Sequence, residues 1–275
     1  FSPLHQDGID THLIVGNHDI FYRQSLKINS AQLNLMEYDN LSIYSRPETA
    51  TIKGVEVFMV PWICEDNAEL FVDRLEKSKA SLCMGHLELA GFYANQQYQC
   101  QHGTDPDKFS QFDRVFSGHF HKKSTRSNVT YLGNPYQLYW NDLGEVRGFH
   151  ILDLDTGELE FIANPTSMYH KIYYDESKKQ LFNPNKYKDS FIKIVVEGNS
   201  TPKKLSSFVD RLYQVGIHDI KVIEQFSLDV DGDVEVEGED TLTTLTNYVN
   251  AMDDQIDKTN VIDIFKSLYV EAQEI

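Results

Sequence analysis

Three short apolar runs that each stop at a glycine, and a strand–helix–strand pattern further along, predict an α/β fold for this 275-residue chain. The runs are Thr11 to Val15, Ala80 to Met84 and Asp113 to Ser117. They are followed by Gly16-Asn17-His18-Asp19, Gly85-His86 and Gly118-His119-Phe120-His121. In open α/β sheets ligands gather beyond the carboxyl ends of the strands, so Asn17, His86, His119 and His121 can meet at one edge.

The later elements follow in order. Gly148 to Leu154 and Glu158 to Ala163 flank the turn Asp155-Thr156-Gly157 and read as a hairpin. Residues 191–196 (FIKIVV) read as a strand. Thr201-Pro202 then starts an amphipathic helix with Leu205, Phe208, Val209 and Leu212 on one face, Gly216 ends it, and His218 to Ile223 is a second strand. Residues 229–240 carry seven acids in twelve residues. Their sixth and twelfth positions are Val234 and Asp240, where a calcium loop needs glycine and glutamate, so this is a solvated linker. Two apolar stripes at helical spacing close the chain: Leu242, Leu245, Tyr248 and Val249, then Val261, Ile264, Phe265, Leu268 and Tyr269. The expected division is a core over 1–165, a small α/β domain over 166–228, and a linker with terminal helices over 229–275.

Imidazole and amide groups suit borderline and hard divalent ions, and a His-x-His pair sends two side chains from one loop toward neighbouring ions. Two ions about 3.5 to 4 Å apart can clamp the attacking and leaving oxygens of a phosphate ester. One histidine after a glycine is ordinarily a packed or surface residue; three strand ends of this kind in succession point to metal.

GNHD (16–19), GHLELAG (85–91), GHFH (118–121) and YLGNP (131–135) resemble the later motifs of calcineurin-like metallophosphoesterases. Among these the chain is most similar to the SbcD-type DNA repair nucleases, including the recombination nuclease subunits of T-even-like phages. GNHD in place of GNHE argues against the Ser/Thr phosphatase branch. The resemblance implies an α/β/β/α sandwich with a capping domain over the small α/β unit. It implies a metal-dependent DNA exo- or endonuclease subunit of recombination and repair, with two divalent ions, manganese by family preference. It makes Asn17, His86 and His119 ligands of one ion and His121 a ligand of the other. His18 becomes the catalytic histidine beside the scissile phosphate, stabilising charge or protonating the leaving oxygen. Asp19 would orient His18 by accepting a ring proton; the alternative for Asp19 is a helix N-cap. The implied partners are DNA and an ABC-type coiled-coil ATPase of SbcC type, onto which Val261, Ile264, Phe265, Leu268 and Tyr269 would dock as a helix. A homodimer stays open.

The family also has an early Asp-x-His motif and a Gly-Asp motif whose aspartate bridges the ions. Asp10-Thr11-His12 has the first spelling, but an extended segment rises about 3.3 Å per residue, which puts Asp10 roughly 20 Å from the edge, so it is read as a turn residue. The chain is therefore expected to be truncated at its N-terminus. It is expected to bind metal weakly and to be weak or inactive alone. The competing readings are another phosphodiesterase of the superfamily and a non-catalytic module that binds the ATPase or DNA.

With 41% hydrophobic and 24% charged residues the composition is globular, and no apolar run approaches the roughly 20 residues of a membrane span. Three cysteines without a C-x-x-C pair exclude a disulfide framework or a cysteine zinc site, and the expected compartment is the cytoplasm of a bacterial or phage-infected cell. The net charge of −17 opposes DNA binding, which rests on cations that neutralise phosphates. Its distribution relieves the conflict: residues 199–275 hold 6 basic and 16 acidic residues, whereas 171–198 hold 6 and 4. Lys122, Lys123 and Arg126, directly after GHFH, are candidate DNA contacts; a solvated basic turn is the alternative.

Overall fold

The computed structural model describes residues 1–94, 98–178, 182–197, 200–224, 241–250 and 257–273. They fall into two compact units, Phe1–Thr166 and Ser167–Ile275.

The first unit opens with helix α1 (Ser2–Gln6), strand β1 (Thr11–Ile14) and an antiparallel pair, β2 (Ile20–Tyr22) with β3 (Ser25–Asn29). Helix α2 (Ser30–Leu35), capped by the Asn29 side chain, leads to β4 (Leu41–Tyr44), which pairs in parallel with β1. Next come β5 (Glu48–Ile52), β6 (Val55–Val60), α3 (Ala68–Lys77), β7 (Leu82–Gly85), β8 (Arg114–Ser117), β9 (Ser124–Arg126) and β10 (Val129–Tyr131). These six strands form one mixed sheet in the order β5-β6-β7-β8-β10-β9. The tight turn into β6 needs left-handed backbone at Lys53 (φ 48°) and Gly54 (φ 85°). A hairpin, β11 (Gly148–Leu152) with β12 (Leu159–Ala163), ends the unit where the turn signals place it.

Burial on both faces explains why β6 reads as an almost unbroken apolar run. Phe58 and Val60 pack on one side with Phe71 and Leu75 of α3. Val57 and Met59 pack on the other side with Tyr44, Leu82, Phe116 and Ile14. The β1–β4 pair thus faces the large sheet, and its outer side packs Val15, Leu13 and Ile43 against Leu26 and Ala31. The layers are α, β, β and α. Of the three glycine-ended runs, β1 belongs to the second sheet, while β7 and β8 are neighbours in the first.

The second unit is a parallel three-stranded sheet, β13 (Tyr169–Tyr174), β14 (Phe191–Val196) and β15 (Asp219–Glu224). Helix α4 (Pro202–Tyr213) begins with Pro202 at its first turn and is followed by Gly216 at φ 81°. Its Leu205 and Leu212 cover Ile172, Ile192, Ile194 and Val196. On the opposite face Lys171, Lys193 and Lys221 are direct neighbours across the three strands. Partial burial and the flanking Lys221 and Lys171 charges lower the pKa of Lys193.

Helices α5 (Thr241–Asn250) and α6 (Lys258–Gln273) pack against each other. On α5 Val249 is buried and Tyr248 is exposed. On α6 Val261 and Phe265 are half-buried and Ile264 is exposed. The side chains of Leu242, Leu268 and Tyr269 and the whole acidic stretch 229–240 lie outside the described residues. Among the described residues no helix is long and apolar enough to cross a membrane.

Candidate active site

The strand ends are bound to one another before any side chain is considered. Val15 N–H donates to Tyr44 O, Trp62 N–H to Val15 O at 2.9 Å, His86 N–H to Val60 O at 2.9 Å, and Gly118 N–H to Gly85 O at 3.0 Å. These bonds bring the ends of β1, β6, β7 and β8 to one place. Closeness requires the glycine at 16, where a Cβ would lie 2.8 Å from the His86 ring, whereas one on Gly118 would be in ordinary contact, 3.4 Å from His86 Nδ1. His86 is wedged between the GNHD and GHFH turns.

Its ring meets two of the other predicted residues. His86 Nε2 lies 2.7 Å from Asn17 Oδ1, and the His86 and His119 ring centroids are 5.1 Å apart. Burial, with the nearby His119, His18 and His121, pushes the His86 pKa down to about 3, so the imidazole is neutral. A neutral ring facing an amide oxygen carries its proton on Nε2. His18 is exposed on the turn beside it. Asp19 accepts the Gly16 N–H at 2.7 Å and closes that turn. The segment after Asp19 is strand β2, so there is no helix for it to cap.

His119 has φ 80°, a left-handed conformation rare for a residue with a side chain. Such strain, of order 1–3 kcal/mol, persists where the surroundings over-determine it, and it clusters at functional sites. Here the surroundings are Trp62 at 5.0 Å, Phe120 at 4.9 Å and Glu88, whose Oε2 is 3.5 Å from His119 Nε2. The hydrogen bond with His119 holds the Glu88 carboxyl below its usual range. His121 lies flat on Tyr139, 5.6 Å between centroids and 3° between planes, with Nδ1 3.3 Å from Asp142 Oδ1. Of the three cations, Lys122 Nζ stands 5.2 Å from the Tyr93 ring centroid, Lys123 Nζ 3.5 Å from that of Phe161, and Arg126 is exposed on β9.

Trp62, Glu88 and Asp142 were not singled out as site residues from the sequence. Glu88 carried a signal, because in Leu87-Glu88-Leu89 the leucines are buried and the alternation turns Glu88 to the His119 side. Asp142 lies twenty-one residues beyond His121 on a short 3₁₀ turn, and nothing local marks it.

Asn17, His86 and His119 bring together imidazole and amide groups of the kind that suit divalent ions, with the Glu88 carboxylate beside His119 only. Among the described residues no group of three or more His, Cys, Asp or Glu side chains could hold an ion. The residues present therefore do not by themselves fit a two-ion centre, which needs a ligand shared between the ions.

A four-layered α/β/β/α fold with imidazoles at converging strand ends defines a metallophosphoesterase-like class. The chain is 33% identical over 277 residues to exonuclease subunit 1 of Enterobacteria phage T4, an alignment covering 99% of this chain and 80% of the relative. It is 23% identical over 291 residues to the DNA double-strand break repair protein Mre11 of Methanocaldococcus jannaschii, covering 98% and 76%. No protein-family model matches the chain. The chain belongs to the SbcD/Mre11-type metallophosphoesterase nucleases.

Proposed function

We propose that this chain is the nuclease subunit of a DNA recombination and repair complex and hydrolyses phosphodiester bonds where Asn17, His18, His86, His119 and His121 gather. The observation that carries the reading is His86 wedged between the two glycine turns, against Asn17 on one side and the strained His119 on the other. Water attacks phosphorus, one ester P–O bond breaks, and the exposed His18 gives its proton to the departing oxygen. Asn17, His86 and His119 would belong to a divalent-metal site, with manganese the ion that the family resemblance implies. With that site incomplete, no step is assigned to the ion.

In the same proposal Lys122, Lys123 and Arg126 meet the DNA backbone, and Asp19 keeps His18 in place by closing its turn. Residues 166–228 serve as the capping domain. Residues 229–275 dock on a coiled-coil ATPase of ABC type, with Val261, Ile264, Phe265, Leu268 and Tyr269 as anchors, and the complex acts in the cytoplasm. The incomplete donor set favours one rival, a non-catalytic module that binds DNA or the ATPase. The deciding experiment is cleavage of linear duplex DNA with manganese, with chelator, and with His18→Ala. The expected result is slow metal-dependent cleavage by the chain alone, which falls at least about 100-fold further in the variant while DNA affinity holds. DNA binding with no cleavage under any metal supports the module, and an unchanged rate in His18→Ala removes that residue from the chemistry.

A further inference from the structure

We propose that Asp142 is the positioning residue for His121, fixing the imidazole in the tautomer that is protonated on Nδ1 and keeps its lone pair on Nε2 for the phosphodiester site. The inference rests on the nuclease reading only for the use made of that nitrogen; the tautomer itself follows from the geometry.

Asp142 is 2% exposed and its carboxylate is immobilised on both sides. Oδ2 accepts from Asn134 Nδ2 at 3.0 Å, from Leu138 N–H at 2.7 Å and from Tyr139 N–H at 3.3 Å. Oδ1 accepts from an Arg147 guanidinium nitrogen at 2.9 Å and faces His121 Nδ1 at 3.3 Å. Four N–H donors, one of them on the Arg147 guanidinium, converge on this buried carboxylate and hold it in the ionised form. An ionised carboxylate has no proton to give, so the proton between the two groups sits on the ring. Arg147 also donates to the His121 carbonyl oxygen and to Asn134 Oδ1, so one buried ion pair grips both ring and backbone of His121. Tyr139 lies parallel to the ring, 5.6 Å away between centroids, and flanks it on one face. Placing a charge at 2% exposure costs free energy that a plain loop contact would not require.

Asp142→Asn makes a test because three N–H groups oppose one orientation of the amide and a single Arg147 donor opposes the other. Its oxygen takes the Oδ2 position, where three N–H groups point. The NH₂ group then faces His121 Nδ1 as a donor and displaces the Arg147 guanidinium nitrogen from which Oδ1 had accepted, and the ring moves its proton to Nε2. Glu145, 3.0 Å from Arg147, remains as the counter-charge that keeps the variant folded.

The experiment is a long-range proton–nitrogen correlation spectrum of the ¹⁵N-histidine-labelled chain at alkaline pH, with His121→Gln assigning the resonance. The expected wild-type pattern is a protonated Nδ1 and an unprotonated Nε2. In Asp142→Asn the pattern inverts, and Asp142→Glu keeps the wild-type one. Cleavage by Asp142→Asn falls about 10- to 100-fold in kcat, with KM for DNA unchanged. A wild-type proton on Nε2, or a tautomer unmoved by Asp142→Asn, overturns the proposal. If Asp142→Asn does not fold, the wild-type spectrum alone decides. Absence of cleavage in the wild type with the expected spectrum defeats the nuclease reading and leaves the tautomer assignment standing.

Discussion

Tyr131→Phe removes one oxygen atom and tests how the core holds the strand that delivers His86. The Tyr131 hydroxyl accepts the Leu89 N–H at 3.0 Å and donates to Leu87 O at 2.8 Å. Tyr131, Leu87 and Leu89 are 0%, 1% and 0% exposed, so water cannot replace either bond. Each buried group left unsatisfied costs about 1–3 kcal/mol, which gives roughly 2–4 kcal/mol for the pair after some relaxation. For a unit of this size that is a fall of roughly 6–12 °C in Tm. Both tryptophans, Trp62 and Trp140, lie in the first unit, so their fluorescence in urea reports its unfolding specifically. A midpoint shift worth less than about 0.5 kcal/mol at constant slope would mean that the hydroxyl is not the tie between β10 and the segment after His86.

The remaining expectations concern charge, metal-free stability and the tail. Changing Lys122, Lys123 and Arg126 together to Gln should reduce the salt dependence of DNA affinity by up to about 0.9 per cation, so roughly 2.7 in the log–log slope. An unchanged slope would make them a solvated turn, and the same change at Lys171, Lys193 and Lys221 would then show whether DNA follows that row instead. In chelator-treated protein, thermal stability should fall as pH drops from about 6.5 toward about 3. The unfolded chain there takes up a proton that His86, held down at about 3, refuses in the folded state. Melting curves of His86→Gln should lose part of that slope; equal slopes would deny the burial of the ring. Phe265→Asp with Leu268→Asp should abolish copurification with a coiled-coil ATPase while circular dichroism is unchanged, and retained copurification would assign the α6 anchors to packing within this chain.

What could be read from the sequence was local, and what could not was the pairing. The run at 11–15 became a strand at Thr11–Ile14, and FIKIVV became β14 with both bounds as read. Its companion β13 was passed over, because His170 and Lys171 interrupt the apolar run and the strand's buried partners lie on β14 and α4. The glycines were legible as strand ends, but not for the reason the structure supplies. Gly16 is there because His86, 70 residues away along the chain, leaves no room for a side chain. That β1 pairs with β4 and so approaches from a second sheet depends on contacts thirty residues apart, to which no local period responds.

The same division explains the site. Histidines follow a turn signal and can be found by spacing, yet an imidazole has two nitrogens, and spacing does not say which one is offered. That choice is made by groups from elsewhere: Asn17 on His86, Glu88 on His119 and Asp142 on His121. Each partner uses up one ring nitrogen, so each sets which nitrogen its histidine leaves available. Asn17 and Glu88 meet the Nε2 atoms, whereas Asp142 meets Nδ1, and His121 is thereby the one member of the three whose Nε2 is left by its carboxylate or amide partner. In a site whose donor set is otherwise incomplete, that asymmetry makes His121 the side chain on which a single substitution at a distance, Asp142→Asn, has the most to change.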